Sequence, residues 1–291
     1  MKARKSRNES TSSFILPTVF IIGMVLLLYP SVSNYYNSFH ASSAISNYSS
    51  SIADMTDEET SRIFDLASQY NSNISKRENL YVPSDTELFE YNNLFNVGGD
   101  GMMGSIEIPK IDVNLPIYHG TDDAVLSAAV GHIEWTSLPS GGDGCHTVLS
   151  GHRGLPSARL FTDLDKLEEG DVFYLYILGK TMTYRVDKIS IVLPQDVSML
   201  KPVPGRDLCT LVTCTPYGIN THRLLVQGYR VDSGTDNASV NNINSDALII
   251  PKNLTAGVLS VPLVLIAYVI LIFIDTHKCN SKKVKGKHLA T

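Results

Sequence analysis

Residues 210–223 read Thr210-Leu211-Val212-Thr213-Cys214-Thr215-Pro216-Tyr217-Gly218-Ile219-Asn220-Thr221-His222-Arg223. An apolar, β-branched run stops at Pro216, which has no N–H to continue a ladder, and Gly218 follows in the same loop. The thiol of Cys214 is therefore delivered at the mouth of a strand. A second segment has the same form: Leu149-Ser150-Gly151-His152-Arg153-Gly154 leaves a strand pattern over Cys145 to Ser150 and presents His152 between glycines. Two strands that each end in one reactive side chain can bring thiol and imidazole to one rim of a sheet, which is what a cysteine nucleophile with an acid–base partner needs. Arg223, at the head of the following strand pattern, adds a fixed positive charge.

The segments around these two stretches carry the same signals. Ile106 and Ile108, then Ile111, Val113, Leu115 and Ile117, alternate at period two with one shift beside Pro109, which predicts a bent or bulged strand. Val172 to Leu178 and Thr181 to Val186 flank Gly179-Lys180 as a hairpin, and Ile189 to Leu193, Leu208 to Thr213 and Leu224 to Val231 read as further strands. A short helix is expected around Ala124 to Ala129. Many short strands with little helix between them predict one mostly-β domain, closed or sandwiched, over residues 101–233. Before it, residues 31–100 read as a helical arm. Thr56-Asp57-Glu58-Glu59 and Ser84-Asp85-Thr86-Glu87 are capping boxes, each ahead of apolar residues at helical spacing, with a loop from Arg77 to Pro83 between them.

The chain is also apolar near both ends. Residues 14–30 are almost uninterrupted apolar sequence after the basic tail 1–13, and residues 254–274 form a second run between a linker (234–253) and a lysine-rich tail (275–291). Each is close to the ~20 residues a helix needs to cross a bilayer. With basic residues on the outer side of both, the expectation is two membrane spans, both termini cytoplasmic and residues 31–253 on the far side. Cleavage of the first run as a signal peptide near Ser31-Val32-Ser33 is the alternative. The formal net charge of −5 and the acidic middle of the chain disfavour nucleic acid as a partner. Four cysteines (145, 209, 214, 279) without a C-x-x-C pair, and a Cys214–His222 spacing that fits no common ligand pattern, leave no metal site to expect.

LSGHRGLP (149–156) and TLVTCTPYGINTHRLLVQG (210–228) together resemble a sortase, and in particular the class C, pilin-polymerising sortases. The likeness continues through IEIPKIDVNLPIYHGT (106–121), GHIEWTSLPSGG (131–142) and VLPQDVSMLKPVPGRDL (192–208). It implies an eight-stranded β-barrel with short helices and an active site of His152, Cys214 and Arg223. It also implies an LPXTG-type sorting signal on a pilin or surface protein as substrate, cleavage between Thr and Gly, a thioester on Cys214, transfer to a lysine amine of another pilin, and no cofactor. Attachment of surface proteins to cell-wall peptide is the alternative within the family, and a non-catalytic envelope scaffold the alternative outside it.

Other residues have assignments of their own. Thr213 is a candidate for positioning substrate beside the nucleophile, with plain strand packing as the rival. His222 competes with His152 for the base role but alternates away from Arg223. Class C members usually carry an Asp-Pro-aromatic lid over the cysteine. This sequence has no Asp-Pro and offers Asn79-Leu80-Tyr81-Val82-Pro83-Ser84-Asp85 in that region, with Tyr81 as the candidate plug and a plain connecting loop as the alternative. Cys145 and Cys209 lie at odd offsets before His152 and Cys214, so both are expected to face away from the catalytic side, as two buried thiols or as a disulfide.

Overall fold

The computed structural model describes residues 7–76 and 81–232, with side chains from residue 18 onward. Helices α1 (Arg7–Ile52), α2 (Asp57–Ile74) and α3 (Asp85–Asn93) precede β1 (Met102–Ile108) and β2 (Val113–His119). The short α4 (Asp123–Leu126), β3 (Val130–His132), β4 (His146–Ser150), β5 (Val172–Ile177), β6 (Lys180–Val192), β7 (Leu208–Thr215) and β8 (His222–Arg230) follow. The eight strands close into a barrel in the order β1-β2-β3-β4-β7-β8-β6-β5. The expected architecture is therefore present. The expected second span (254–274), with its linker and tail, lies outside the described residues. Among the described residues, 33–232 belong to one compact unit and 7–32 to another.

Both capping boxes form. The Thr56 and Ser84 hydroxyls accept from the Glu59 and Glu87 amides, and each glutamate returns a bond to its cap residue's N–H. Helix α1 joins the expected apolar segment 14–30 to the expected helical arm without a break, running on past Pro30 through a Ser- and Asn-containing stretch. The hydroxyls of Ser38, Ser49, Ser50 and Ser51 turn back onto carbonyls four residues earlier. Asn37 Nδ2 donates to the Ser157 carbonyl and Asn34 Oδ1 accepts from the Arg159 N–H, both at 2.8 Å. Tyr48 donates to the Met103 carbonyl and accepts from the Leu178 N–H. These long-range bonds override the weak local helix preference. Over Thr18–Ile52 the helix is long and apolar enough to cross a membrane, and Val25, Leu26 and Leu27 are exposed along it.

Two strand expectations are corrected. The segment from Ile106 to Ile117 is a β1–β2 hairpin, turned by a 3-10 segment over Pro109–Ile111 and by Asp112 in the left-handed region at φ 54°. The residues read as a separate strand from Ile189 onward belong to one 13-residue β6, in which a register shift between Val186 and Lys188 breaks the alternation.

Two pairs in the barrel are parallel, β2–β3 and β4–β7. In the second, His146 lies opposite Leu208 and Ser150 opposite Val212, so both strands run to the same rim. The wall they form with β8 sorts by parity. Leu149, Cys209, Leu211, Leu224 and Val226 join the main core. Val148, Val212 and Leu225 make a smaller cluster with Leu200 on the other face, with Trp135, Val192 and Val197 packed against it.

Candidate active site

Carrying the β4–β7 register two residues beyond Ser150↔Val212 sets His152 level with Cys214. Backbone bonding continues past the end of β4, with Gly151 N–H donating to the Val212 carbonyl at 3.0 Å. On the other side Cys214 is the direct partner of Arg223. The three residues thus stand side by side across β4, β7 and β8, with the thiol in the middle. They share the parity of Val148, Val212 and Leu225, which places them at the open end of the smaller apolar cluster.

Each backbone is held from several directions. The Thr213 hydroxyl, buried on the opposite face from Cys214, donates to the Gly151 carbonyl at 2.8 Å, and Phe161 N–H donates to the His152 carbonyl at 3.1 Å. Gly151 must be glycine, since a Cβ there would stand 2.6 Å from the Phe161 ring. Arg223 Nη1 donates to the carbonyls of His222 and Asn220 at 3.1 and 3.3 Å, which bends the guanidinium back over the loop that follows Cys214.

The structure also separates the histidines. His119 has both ring nitrogens on carbonyls, those of Gly101 and Leu94. His132 is fully buried between the Tyr91 hydroxyl and the Ser137 carbonyl, and His146 is tied to the Lys201 carbonyl and the Thr210 hydroxyl. Burial lowers the pKa of all three, that of His132 to about 3. His222 takes the Leu224 parity and engages Thr221. His152 is only partly buried, and its ring nitrogens have no hydrogen-bond partner among the described residues. The same holds for the Cys214 sulfur, so imidazole and thiol stand level in register without being bonded to each other.

The remaining cysteines are of a different kind. Cys145, Cys209 and Cys214 are all free thiols, and the first two are buried. Cys145 lies one step outside the β4–β7 register, its carbonyl accepting from the Leu208 N–H, while Cys209 pairs with Thr147. Burial, with the Asp207 carboxylate nearby, pushes the Cys145 thiol up to about 12 and that of Cys209 well above its ordinary value. Tyr81 stands at the edge of the smaller cluster, edge-on to Trp135 with ring centroids 5.1 Å apart. Residues 77–80 of the expected lid region lie outside the described residues.

Sequence reasoning missed the Tyr81–Trp135 contact and the pairing of Arg153 with Asp165. Both depend on pairings between distant segments that no local pattern announces.

A Sortase domain family model matches residues 106–231. The crystal structure of sortase C1 from Streptococcus agalactiae is 47% identical over 65% of this chain and 98% of its own, with a TM-score of 0.62. Sortase C from Clostridium perfringens, solved with the C-terminal cell wall sorting motif, is 43% identical over 65% of this chain and 98% of its own, with a TM-score of 0.57. Among curated relatives, sortase A of Streptococcus agalactiae is 35% identical over 39% of this chain, and the match spans 47%, about half, of that relative's length. The chain belongs to the sortase family, whose members are cysteine transpeptidases. The two solved structures just described are sortase C proteins, and a third, the lid mutant of sortase A from Corynebacterium diphtheriae, is 41% identical over 61% of this chain and 96% of its own, with a TM-score of 0.56.

Proposed function

We propose that the chain is a membrane-anchored transpeptidase that cleaves an LPXTG-type sorting signal and joins the resulting acyl group to a lysine amine of a second pilin subunit. The observation that carries this reading is the common rim of His152, Cys214 and Arg223, set by the β4–β7 and β7–β8 registers. The likeness to sortase C1 of Streptococcus agalactiae and sortase C of Clostridium perfringens favours pilin joining over attachment to cell-wall peptide.

The chemistry divides into two half-reactions. The Cys214 sulfur attacks the Thr carbonyl carbon of the sorting signal, the Thr–Gly C–N bond breaks, and His152 gives a proton to the departing glycine amine. A thioester remains on Cys214. The incoming lysine amine then attacks the same carbon, His152 accepts its proton, and the C–S bond breaks to release the Cys214 thiolate and a new amide, the state from which the first attack began. Arg223 donates to the oxyanion of each tetrahedral species, a type of contact worth about 3–4 kcal/mol where the site is preorganised. Thr213 serves from beneath, holding the Gly151 carbonyl and with it the backbone that carries His152. Tyr81 is the candidate cover residue, parked on Trp135 at the border of the same face. Helix α1 supplies the anchor, with residues 31–253 outside the membrane and 254–274 as the second span.

The test is to incubate the full chain in detergent with a purified LPXTG-bearing pilin and look by mass spectrometry for an acyl adduct on Cys214. A thioester that passes to a second pilin's lysine supports the reading. The absence of any adduct with the wild-type chain, matching Cys214→Ala, would sink it.

A further inference from the structure

Arg153 follows His152 in sequence, yet its side chain is only 10% exposed. It leaves the His152 loop and crosses to the segment beyond Cys214. Nη1 lies 3.5 Å from the Thr215 hydroxyl, the guanidinium carbon lies 5.9 Å from the centre of the Tyr217 ring, and Nη2 is paired with Asp165 at 2.5 Å. Thr215 is the residue next to the nucleophile, and Tyr217 is the first side chain of the loop after Pro216. The next position in the His152 loop is fitted to the same ring: Gly154 has φ +78°, and a Cβ there would stand 3.0 Å from Tyr217.

This arrangement is not the one that stability alone would select. The Arg153 Nε is buried and has no hydrogen-bond partner among the described residues. A buried donor left without a partner costs about 1–3 kcal/mol. An apolar side chain of similar length would fill the same space without that cost. What only a planar guanidinium supplies here is reach in several directions at once: an ion pair at one edge, a hydroxyl at another and a ring against its face.

We propose that Arg153 is a positioning residue that ties the His152 loop to the segment following Cys214, through Thr215 and Tyr217, and so fixes the imidazole relative to the thiol in both half-reactions. The inference rests on the transpeptidase reading above and assigns the residue that sets the alignment of its acid–base group. In the two half-reactions one imidazole must first protonate and then deprotonate amines that arrive at the same carbon. A shift of about 1 Å in such a group can cost on the order of a hundredfold in rate.

The experiment measures kcat and KM of the detergent-solubilised full chain on a fluorogenic LPXTG-type peptide with hydroxylamine as acceptor, alongside the thermal midpoint. Arg153→Met is expected to lower kcat by about 10- to 100-fold with KM changed less than about twofold. Arg153→Lys keeps the charge without the fork and is expected to recover only part of the rate. Thr215→Val should lower kcat in the wild type and add little to Arg153→Met, since the two act through one contact. Should Arg153→Met fail to fold, Asp165→Asn removes the partly exposed anchor of the guanidinium and is expected to lower kcat by a smaller factor in the same direction.

A lowered midpoint with kcat per folded molecule unchanged would make Arg153 merely structural and overturn the proposal. A raised KM with kcat kept would make it a substrate contact and overturn it equally. If the wild-type chain shows no Cys214-dependent turnover, the transpeptidase reading fails and this inference falls with it. Normal turnover in both the wild type and Arg153→Met removes the inference alone.

Discussion

The β4–β7 pair carries a thiol and an imidazole at each of its ends, and at only one end do the two share a face and stay free of partners among the described residues. At the closed end are His146 and Cys209. They stand on opposite faces of the wall, the imidazole bonded at both nitrogens and the thiol sealed in the core. At the open end are His152 and Cys214, level in register, on one face, with neither reactive atom committed to a partner among the described residues. The residue types are the same and the strands are the same. What differs is parity along the strand and access at the rim, so a Cys and a His on neighbouring strands make a candidate site only when both conditions hold.

The sharpest test of this contrast applies one substitution at two positions. Cys214→Ser is expected to reduce turnover of a sorting-signal peptide by at least about a thousandfold, with the thermal midpoint hardly moved, because it removes the proposed nucleophile from a half-open position. Acid should strike the buried histidines instead. His132 and His146 are held neutral by burial, His132 with a pKa of about 3, while in the unfolded chain both bind protons near pH 6.5. The unfolded state therefore takes up protons that the native state refuses. Stability is full above about pH 6.5 and falls as pH drops towards 3, by about 3 kcal/mol at pH 4 from His132 alone. Chemical denaturation at pH 7 and pH 4 measures it, and His132→Gln should flatten the difference.

Cys209→Ser is expected to leave turnover per folded molecule intact and to cost about 1–3 kcal/mol of stability, because a hydroxyl replaces a thiol against the main core. Equal loss of activity at both cysteines would break the comparison. The smallest effect is expected at Tyr81, whose edge-to-face contact with Trp135 is of a kind worth about 0.5–1.5 kcal/mol. Tyr81→Ala should raise the alkylation rate of Cys214 by iodoacetamide by no more than about tenfold, read by peptide mass spectrometry. A much larger increase would show that this residue seals the thiol.

Much of this was legible beforehand, for reasons the residues themselves give. The capping boxes at Thr56 and Ser84 are local and reciprocal, so four adjacent letters suffice to place two helix starts. Cys214 and His152 announce themselves by sitting where an apolar run meets Pro or Gly, which is a property of one strand end. Parity alone predicted that Cys145 and Cys209 would face away from the site. The failures have one cause as well. The continuity of helix α1 past Pro30 is hidden in the sequence because its serines bond within the helix and its asparagines and Tyr48 bond to residues more than a hundred positions away, apart from the Met103 carbonyl. The β1–β2 hairpin reads as one bent strand because Asp112, not glycine, takes the left-handed turn position. Arg153 is invisible because its neighbours Asp165, Thr215 and Tyr217 come together only in three dimensions.

The parallel β4–β7 pair has a further consequence, in the order of events during folding. Two parallel neighbours cannot be joined by a tight turn, and here the chain must lay down β5 and β6 before β7 can pair with β4. Contacts of that sequence separation form late, after the entropy of a long closure has been met. Until the barrel shuts, His152 and Cys214 belong to separate parts of an open chain. Maturation of the catalyst and closure of the cylinder are one event, so a half-folded copy carries no acyl-transfer activity to misdirect.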